Sequence, residues 1–588
     1  GGARRRGAQS GGGTNALVDL DVGGGVEGVG DHSGGVLFGV LGDELAPRAG
    51  DFDLGLVGAL DAKDVGGAIQ RHAEDVEAAP EVRARGRCAH DDHGATFGSG
   101  WKKVAHHAGT VDLLTGATRG PPGSTRTISG DPRRMGMIGI VGGGIAGLAC
   151  AHRLQERGHE VQVFEARSEL GGLAVVHETS GDPVEKFYHH LSESEETIVE
   201  LAEDLGLGEG TGGRETSGAR AEAGDAVEWH YKSDAFYVDG VVHPMDTIWE
   251  IAAYPYLSVY DKFRLGMLTL EIDVRGGIPR FDTYDDFTDF EDVPVREFLI
   301  EHTTENVYEH FWEPLLDAKF GSRKEDVSAA WLLGRIKFRG ERDLLRGEKL
   351  GYVEGSFARL LDALVEAVGE ENIATDAPVT DLRIEDGEVT RLTADRGAGG
   401  VVQGVDDVVI ATMPNVLEDL TGYPCDIDFQ GTVCAVVSLP EKLTDTYWCN
   451  FIDEAPFGVL IEHTNFIPEE RYGGEHLLYV ASYVQSAEEE LWRMDDEEVR
   501  ETWLSGIQDL YPDFDRDSVN WMKVARNPRT APIYERGYLD TVVPYDLGEV
   551  ADGLYYAGMA SRAQYPERSL NGGVVAGYEC ADRILGRK

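Results

Sequence analysis

Residues 137–165 read MIGIVGGGIAGLACAHRLQERGHEVQVFE, and this stretch decides the fold. Ile138-Gly139-Ile140-Val141 is a short apolar run, the mark of a buried strand. The turn Gly142-Gly143-Gly144-Ile145-Ala146-Gly147 follows, then an amphipathic run from Leu148 to Arg157. Gly158 closes that run as a left-handed cap. A second apolar run, Val161-Gln162-Val163-Phe164, ends at Glu165. Strand, glycine turn, helix, strand and acid is the order of a mononucleotide-binding βαβ unit with a dinucleotide fingerprint. Gly142 permits the tight turn, Gly144 lets backbone approach a pyrophosphate, and Gly147 lets helix pack on strand. The helix start then aims unpaired N–H groups and a positive dipole end at the phosphates. Glu165 stands a little over twenty residues beyond the first glycine, where a carboxylate accepts from a ribose hydroxyl.

A second match to the glycine pattern, Gly23-Gly24-Gly25-Val26-Glu27-Gly28, follows a strand-like run but is succeeded by Val29-Gly30-Asp31-His32-Ser33-Gly34-Gly35. So glycine-rich a run makes no stable helix. Without a helix start there is no phosphate site, and the match is rejected.

The 588 residues, 41% hydrophobic, suffice for more than one domain. No apolar run is long enough to cross a bilayer. Arg4-Arg5-Arg6 precedes no apolar segment, so no secretory signal is read there. Six cysteines are scattered without a C-x-x-C spacing, as expected of reduced thiols in a cytoplasmic protein. With 105 acidic against 54 basic residues, the formal charge is −51. That excludes nucleic acid and anionic membrane surfaces as expected partners. It also predicts a halophilic character, with structure or activity lost in low salt.

Residues 1–134 differ from the rest. None of the 22 tyrosines and none of the eight methionines falls there, and the first methionine is Met135. Even spreading would put about five tyrosines in the segment, and a stretch without them builds a poorer core. A disordered tail, a small separate domain and upstream sequence foreign to the natural protein all fit. The last is the preferred expectation, with the start at Met135 or Met137, because Met137 opens the first strand. His90-Asp91-Asp92-His93 lacks any sign of a rigid scaffold, so no metal site is expected.

Beyond Glu165 come Ala166-Arg167-Ser168-Glu169-Leu170-Gly171-Gly172, which extend the phosphate-binding surface with a basic residue and a glycine pair. From Met137 to Gly172 the sequence resembles the flavin-containing amine oxidoreductase superfamily. That group includes monoamine and polyamine oxidases, protoporphyrinogen oxidase and phytoene-desaturase-like enzymes. Many members continue Gly-Gly-Arg, whereas this chain has Leu173. A second resemblance lies at the far end, in Gly553-Leu554-Tyr555-Tyr556-Ala557-Gly558 and Tyr565-Pro566-Glu567-Arg568-Ser569-Leu570-Asn571-Gly572-Gly573. Here Met559 replaces the family's usual acid. A helix is predicted from Asn571, as its cap, to about Leu585.

The resemblance implies an α/β fold: a discontinuous Rossmann-like FAD/NAD(P)-binding domain of GR2 type with an inserted α+β substrate domain. The expected FAD domain comprises 135–180, 346–424 and 546–588, and the substrate domain 181–345 and 425–545. It implies FAD held by Gly142, Gly144, Ile145, Ala146, Gly147, Glu165, Ala166, Arg167, Gly171, Gly172, Val379, Gly558, Asn571, Gly572 and Gly573. In the superfamily this C-terminal helix, here expected from Asn571, points its dipole at the flavin's pyrimidine edge. Tyr352 to Ser356 leads into a helix, Phe357 to Val368, and Val408 to Thr412 reads as a buried strand returning to the nucleotide domain.

Candidates for chemistry lie in the first insert. His189 and His190 suit flavin contact or acid–base work, or else a packed aromatic strand edge. Lys319 suits a water-holding role near flavin N5. Tyr188, Trp312 and Arg335 are candidate substrate contacts, Arg335 with Lys337 and Arg339 forming a basic cluster that also suits structural salt bridges. The implied activity is hydride transfer from an organic substrate to flavin N5, with oxygen, quinone or a carrier protein as acceptor. A non-redox isomerase of the UDP-galactopyranose mutase type and a flavin-free binding protein of the GDP-dissociation-inhibitor type are the alternatives.

Overall fold

The computed structural model describes residues 136–208, 226–269, 284–338, 343, 345–397 and 400–587. The rejected glycine match, the histidine–aspartate cluster, the start of the chain and Arg339 lie outside these residues.

Strand β1 (Met137–Val141), helix α1 (Ile145–Glu156) and strand β2 (Glu160–Phe164) form the anticipated unit. α1 begins three residues earlier than its amphipathic run, because Ile145 to Gly147 already belong to the helix. Gly142 carries φ +110°, a backbone conformation that glycine tolerates, and its N–H donates to Phe164 O at 2.8 Å. At the other end Gly158 has φ +85°; its N–H donates to Gln155 O and that of His159 to Leu154 O, closing the helix.

β1 sits centrally in a parallel sheet ordered Ile373–Ala374, β2, β1, Asp407–Ile410, Leu554–Tyr556. Its strands come from three distant parts of the chain. Alternation decides what each face meets. Ile138, Ile140, Val163, Val409 and Tyr555 join the core under α1 and the C-terminal helix Leu570–Arg587. Val141, Phe164, Val408, Ile410 and Tyr556 face the opposite side, in one core with Leu392 of the three-stranded meander Val379–Glu385, Glu388–Ala394, Val401–Gly404. A sheet covered on both faces explains strands that are apolar throughout.

The second large sheet has seven strands, in the order Trp521–Pro532, Phe429–Leu439, His476–Val484, Val459–Glu462, Trp448–Phe451, Asp234–Val238, Val241–Pro244. All neighbours are antiparallel except Trp448–Phe451 against Asp234–Val238. Helices Glu313–Phe320 and Ala329–Phe338 supply the other walls of the space beside this sheet. Helix Phe357–Val368 forms over the predicted residues, its start capped by Ser356 Oγ. The segment 186–190 is irregular backbone that links strands Val184–Glu185 and Leu191–Ser192.

Candidate functional site

Parallel strands place their carboxyl ends, and the loops that follow, along one edge of the sheet. There the Gly142–Gly147 turn leads into α1, whose start has no side-chain cap and no acidic residue in its first turn. Gly171 N–H donates to Gly143 O at 2.9 Å, laying the glycine pair against the turn. A Cβ on Gly144 would meet nothing nearer than the Gly172 Cα at 3.8 Å, and one on Gly172 would have the Gly144 Cα at 3.4 Å. The two glycines leave a cradle lined by backbone alone, which any side chain would fill. Ile145 is buried, Ala146 half-buried and Gly147 buried in the first turn of α1.

Glu165 ends β2. Its carboxylate accepts from Gly143 N–H at 2.8 Å and from Arg167 N–H at 2.9 Å, so its position is fixed from both sides. Ala166 and Arg167 are exposed beside it. Asp376 N–H donates to Arg167 O and Ala377 N–H to Glu165 O, which brings the strand opened by half-buried Val379 alongside the acid. A cavity of about 290 Å³ adjoins Gly172, lined by Arg167, Lys186 and Arg526 among others. Gly558 is buried after strand Leu554–Tyr556; a Cβ there would fall 1.9 Å from Thr412 O.

The C-terminal helix differs from expectation at its start. It begins at Leu570, and Ser569 Oγ accepts from Gly572 N–H at 3.0 Å. Ser569 is therefore the cap, one helical turn ahead of the N–H it satisfies. Asn571 lies inside the first turn, and its Oδ1 accepts instead from Ile198 N–H at 2.9 Å, in the first turn of helix Glu196–Asp204. Gly573 packs the helix on α1: a Cβ there would lie 2.7 Å from Ile145 Cγ2. Gly572 is buried between Asn571 and Gly573.

Ser569 and Leu570 also line the main cavity, of about 890 Å³. Tyr188, His189, His190, Trp312, Lys319 and Arg335 all face it, so one space gathers these six candidates, while Lys337 is not among its lining residues. The walls are largely apolar and carry several aromatic rings; Trp448 stands edge-on to Tyr188 with centroids 5.1 Å apart. His189 Nδ1 is 2.5 Å from Phe187 O. Burial, with Arg568 nearby, pushes its pKa down to about 3, so the ring is neutral at physiological pH. Its Nδ1 then donates to the carbonyl and leaves Nε2 as the acceptor. His190 Nδ1 lies 3.5 Å from Tyr447 Oη.

Glu567 ties the two basic candidates together. Lys319 Nζ is 3.2 Å from its Oε1, and Arg335 pairs with its Oε2. Arg335 thus has a structural partner as well as a place in the cavity wall. Tyr483 is the other residue that local sequence does not reveal. Its hydroxyl is 3.3 Å from that of Tyr188, and Lys319 Nζ is 5.7 Å from its ring centroid. Burial acts to raise its pKa, but Lys319 and Arg568 outweigh burial and bring this phenol below the usual range. Burial holds Tyr188 well above it. Arg568 and Glu567 fall inside the quoted C-terminal motif, where their charge was the only available signal. Tyr483 sits in an apolar strand that carries none.

The donor set fits FAD. An uncapped helix start and a backbone cradle suit a pyrophosphate, a fixed acid suits a ribose, and a second helix start opens on a cavity large enough for a ring system and a substrate. Leu173 and Met559, where the family has Arg and an acid, pack against apolar clusters. Among the described residues there is no cluster of metal ligands, no disulfide at the five described cysteines, and no helix long and apolar enough to cross a membrane.

Comparisons with known proteins agree. A Mycobacterium tuberculosis protein named as a flavin-containing monoamine oxidase is 22% identical over 291 residues, covering 48% of this chain. The chain spans 59% of that relative's length. The 15-cis-phytoene desaturase of Glycine max is 23% identical over 492 residues, 78% of this chain and 81% of its own. A solved structure from Exiguobacterium sp. 255-15, named as a protoporphyrinogen oxidase, has the same fold: TM-score 0.60 at 17% identity, over 78% of this chain and 100% of its own. A family model described as flavin containing amine oxidoreductase matches residues 145–585. The chain belongs to that family of FAD-dependent oxidoreductases.

Proposed function

We propose that the protein oxidises a small organic substrate held in the 890 Å³ cavity, transferring a hydride from a substrate C–H to flavin N5. The observation that carries this reading is the continuity of the cavity with Ser569 and Leu570, the start of the helix aimed at the flavin's pyrimidine edge in this superfamily. Flavin supplies the two-electron acceptor. The chain supplies binding, orientation and exclusion of water. Gly142, Gly144, Gly147 and Gly172 give the pyrophosphate a backbone cradle, and the amides that open α1 favour its charge. Glu165 takes the ribose while Gly143 and Arg167 hold it in place. Val379 lies on the adenine side, and Gly558 and Gly573 keep strand and helix close enough to frame the ring. Segments 181–345 and 425–545 form most of the substrate enclosure, with Tyr188, Trp312 and Trp448 as apolar walls. Neutral His189 offers Nε2 as an acceptor.

The test is a visible spectrum of the purified, FAD-reconstituted protein, followed by anaerobic mixing with amines, unsaturated isoprenoids and reduced tetrapyrroles. Retained flavin that one class bleaches, and that air, quinone or a carrier protein restores, is the expected result. Protein that does not retain FAD overturns the reading. So does flavin that converts a substrate without net reduction.

A further inference from the structure

Tyr483 has surroundings that binding an apolar substrate does not require. It lies near the end of strand His476–Val484, on the face it shares with Tyr479 and Ala481, and it lines the main cavity. Tyr188 approaches its hydroxyl to 3.3 Å from the 186–190 segment. Lys319 reaches over its ring from helix Glu313–Phe320, and the charge of Arg568 bears on it from the lead-in to the C-terminal helix. Tyr534 and the neutral His189 are within electrostatic reach of the same Arg568. The remaining described charges in this group are Glu567 and Arg335. Two cations, Lys319 and Arg568, therefore act on a phenol in a low-polarity wall, an arrangement that favours the phenolate.

We propose that Tyr483, as its phenolate, is the proton acceptor of the oxidation. The step rests on the oxidoreductase reading above. One substrate C–H bond breaks, and its hydrogen leaves with both electrons to the oxidised flavin. The substrate nitrogen, oxygen or neighbouring carbon loses a proton to the Tyr483 oxygen, and the freed electron pair forms the new double bond. The substrate loses two electrons and two hydrogens, the flavin gains a hydride, and Tyr483 becomes a neutral phenol that solvent later deprotonates. Tyr188 stays protonated and donates its hydroxyl to the phenolate. His189 also offers a free Nε2, but a ring whose pKa burial pushes down to about 3 is a weak base.

The experiment uses the FAD-loaded protein as wild type, Tyr483→Phe and Lys319→Gln. Ultraviolet difference titration reads tyrosine ionisation without turnover, and anaerobic flavin bleaching by the substrate panel is followed across pH. In the wild type one tyrosine should ionise below all the others. That step should vanish in Tyr483→Phe and move to higher pH in Lys319→Gln. Bleaching should accelerate as this tyrosine ionises, shift with it in Lys319→Gln, and fall by about 10²- to 10⁴-fold in Tyr483→Phe. A titration unchanged by Tyr483→Phe, or bleaching within about threefold of wild type, overturns the assignment while the oxidoreductase reading stands. Flavin that no substrate bleaches overturns that reading, and the proton-acceptor role falls with it.

Discussion

At the nucleotide end, Gly142, Gly144 and Gly147 fall within six consecutive residues and Glu165 follows on the next strand. At the cavity end, Tyr188, Lys319, Arg335, Tyr483 and Glu567 arrive from five separate segments. The first region is specified by backbone. Its key positions are glycines, and the tightest of their constraints, a Gly147 Cβ 2.0 Å from Gly142 O, is set by a neighbour in sequence. The second is specified by tertiary packing, and its key positions are those where charges from distant elements meet. A family with one cofactor and many substrates is built this way: the local half holds the flavin and the assembled half differs with the reaction.

Breaking the local half should have the largest effect. A Cβ on Gly147 would lie 2.0 Å from Gly142 O, so Gly147→Ala forces α1 away from the strand. Because the obstacle is main chain, we expect a destabilisation of about 3 kcal/mol or more, the upper end for overpacking. Loss of bound FAD on gel filtration and a lowered melting temperature would show it; a variant that keeps both would mean that helix and strand are less tightly fixed than the geometry requires.

Glu165→Ala should come next. It removes the proposed ribose acceptor and releases the Gly143 and Arg167 amides. Loss of charge-assisted hydrogen bonds worth about 1.5–3 kcal/mol weakens FAD by roughly 10- to 150-fold. Titration of the apoprotein with FAD measures it, and an unchanged affinity removes Glu165 from the ribose role.

Ser569→Ala should have the smallest effect, about 1 kcal/mol of stability from one lost cap. It sharpens the comparison because the cap lies where the two regions meet. Thermal unfolding of Ser569→Ala beside Asn571→Ala separates their roles. The first should loosen the C-terminal helix, and the second the Glu196–Asp204 helix bound to Asn571 Oδ1. Amide exchange that loosens the same helix in both variants would contradict the assignment.

This division explains what was legible in the sequence. β1, α1, β2 and the Phe357–Val368 helix follow from apolar periodicity and glycine punctuation, and they form within a few residues of expectation. The cradle follows too, because its constraint is local. Asn571 misleads because asparagine before a glycine pair has the chemistry of a cap, yet a serine two residues earlier stood closer to the right amide. Which of the two caps the helix depends on where Ile198 lies, far away in sequence. The partner of Arg335 was beyond reach for the same reason: Glu567 is remote until the fold closes. Tyr483 occurs in the strand HLLYVASYV, where its chemistry comes wholly from Lys319, Arg568 and Tyr188. No periodicity encodes that.

The central claim is that the two regions meet at one flavin. A crystal structure of the FAD-bound protein tests it most directly. The account predicts the pyrophosphate on the Gly144–Gly172 cradle and the ring's pyrimidine edge at the start of the Leu570–Arg587 helix. One ring face should open onto the cavity that holds Tyr483. A ring system lying outside that cavity, or separated from Tyr483 by a closed wall, would contradict it.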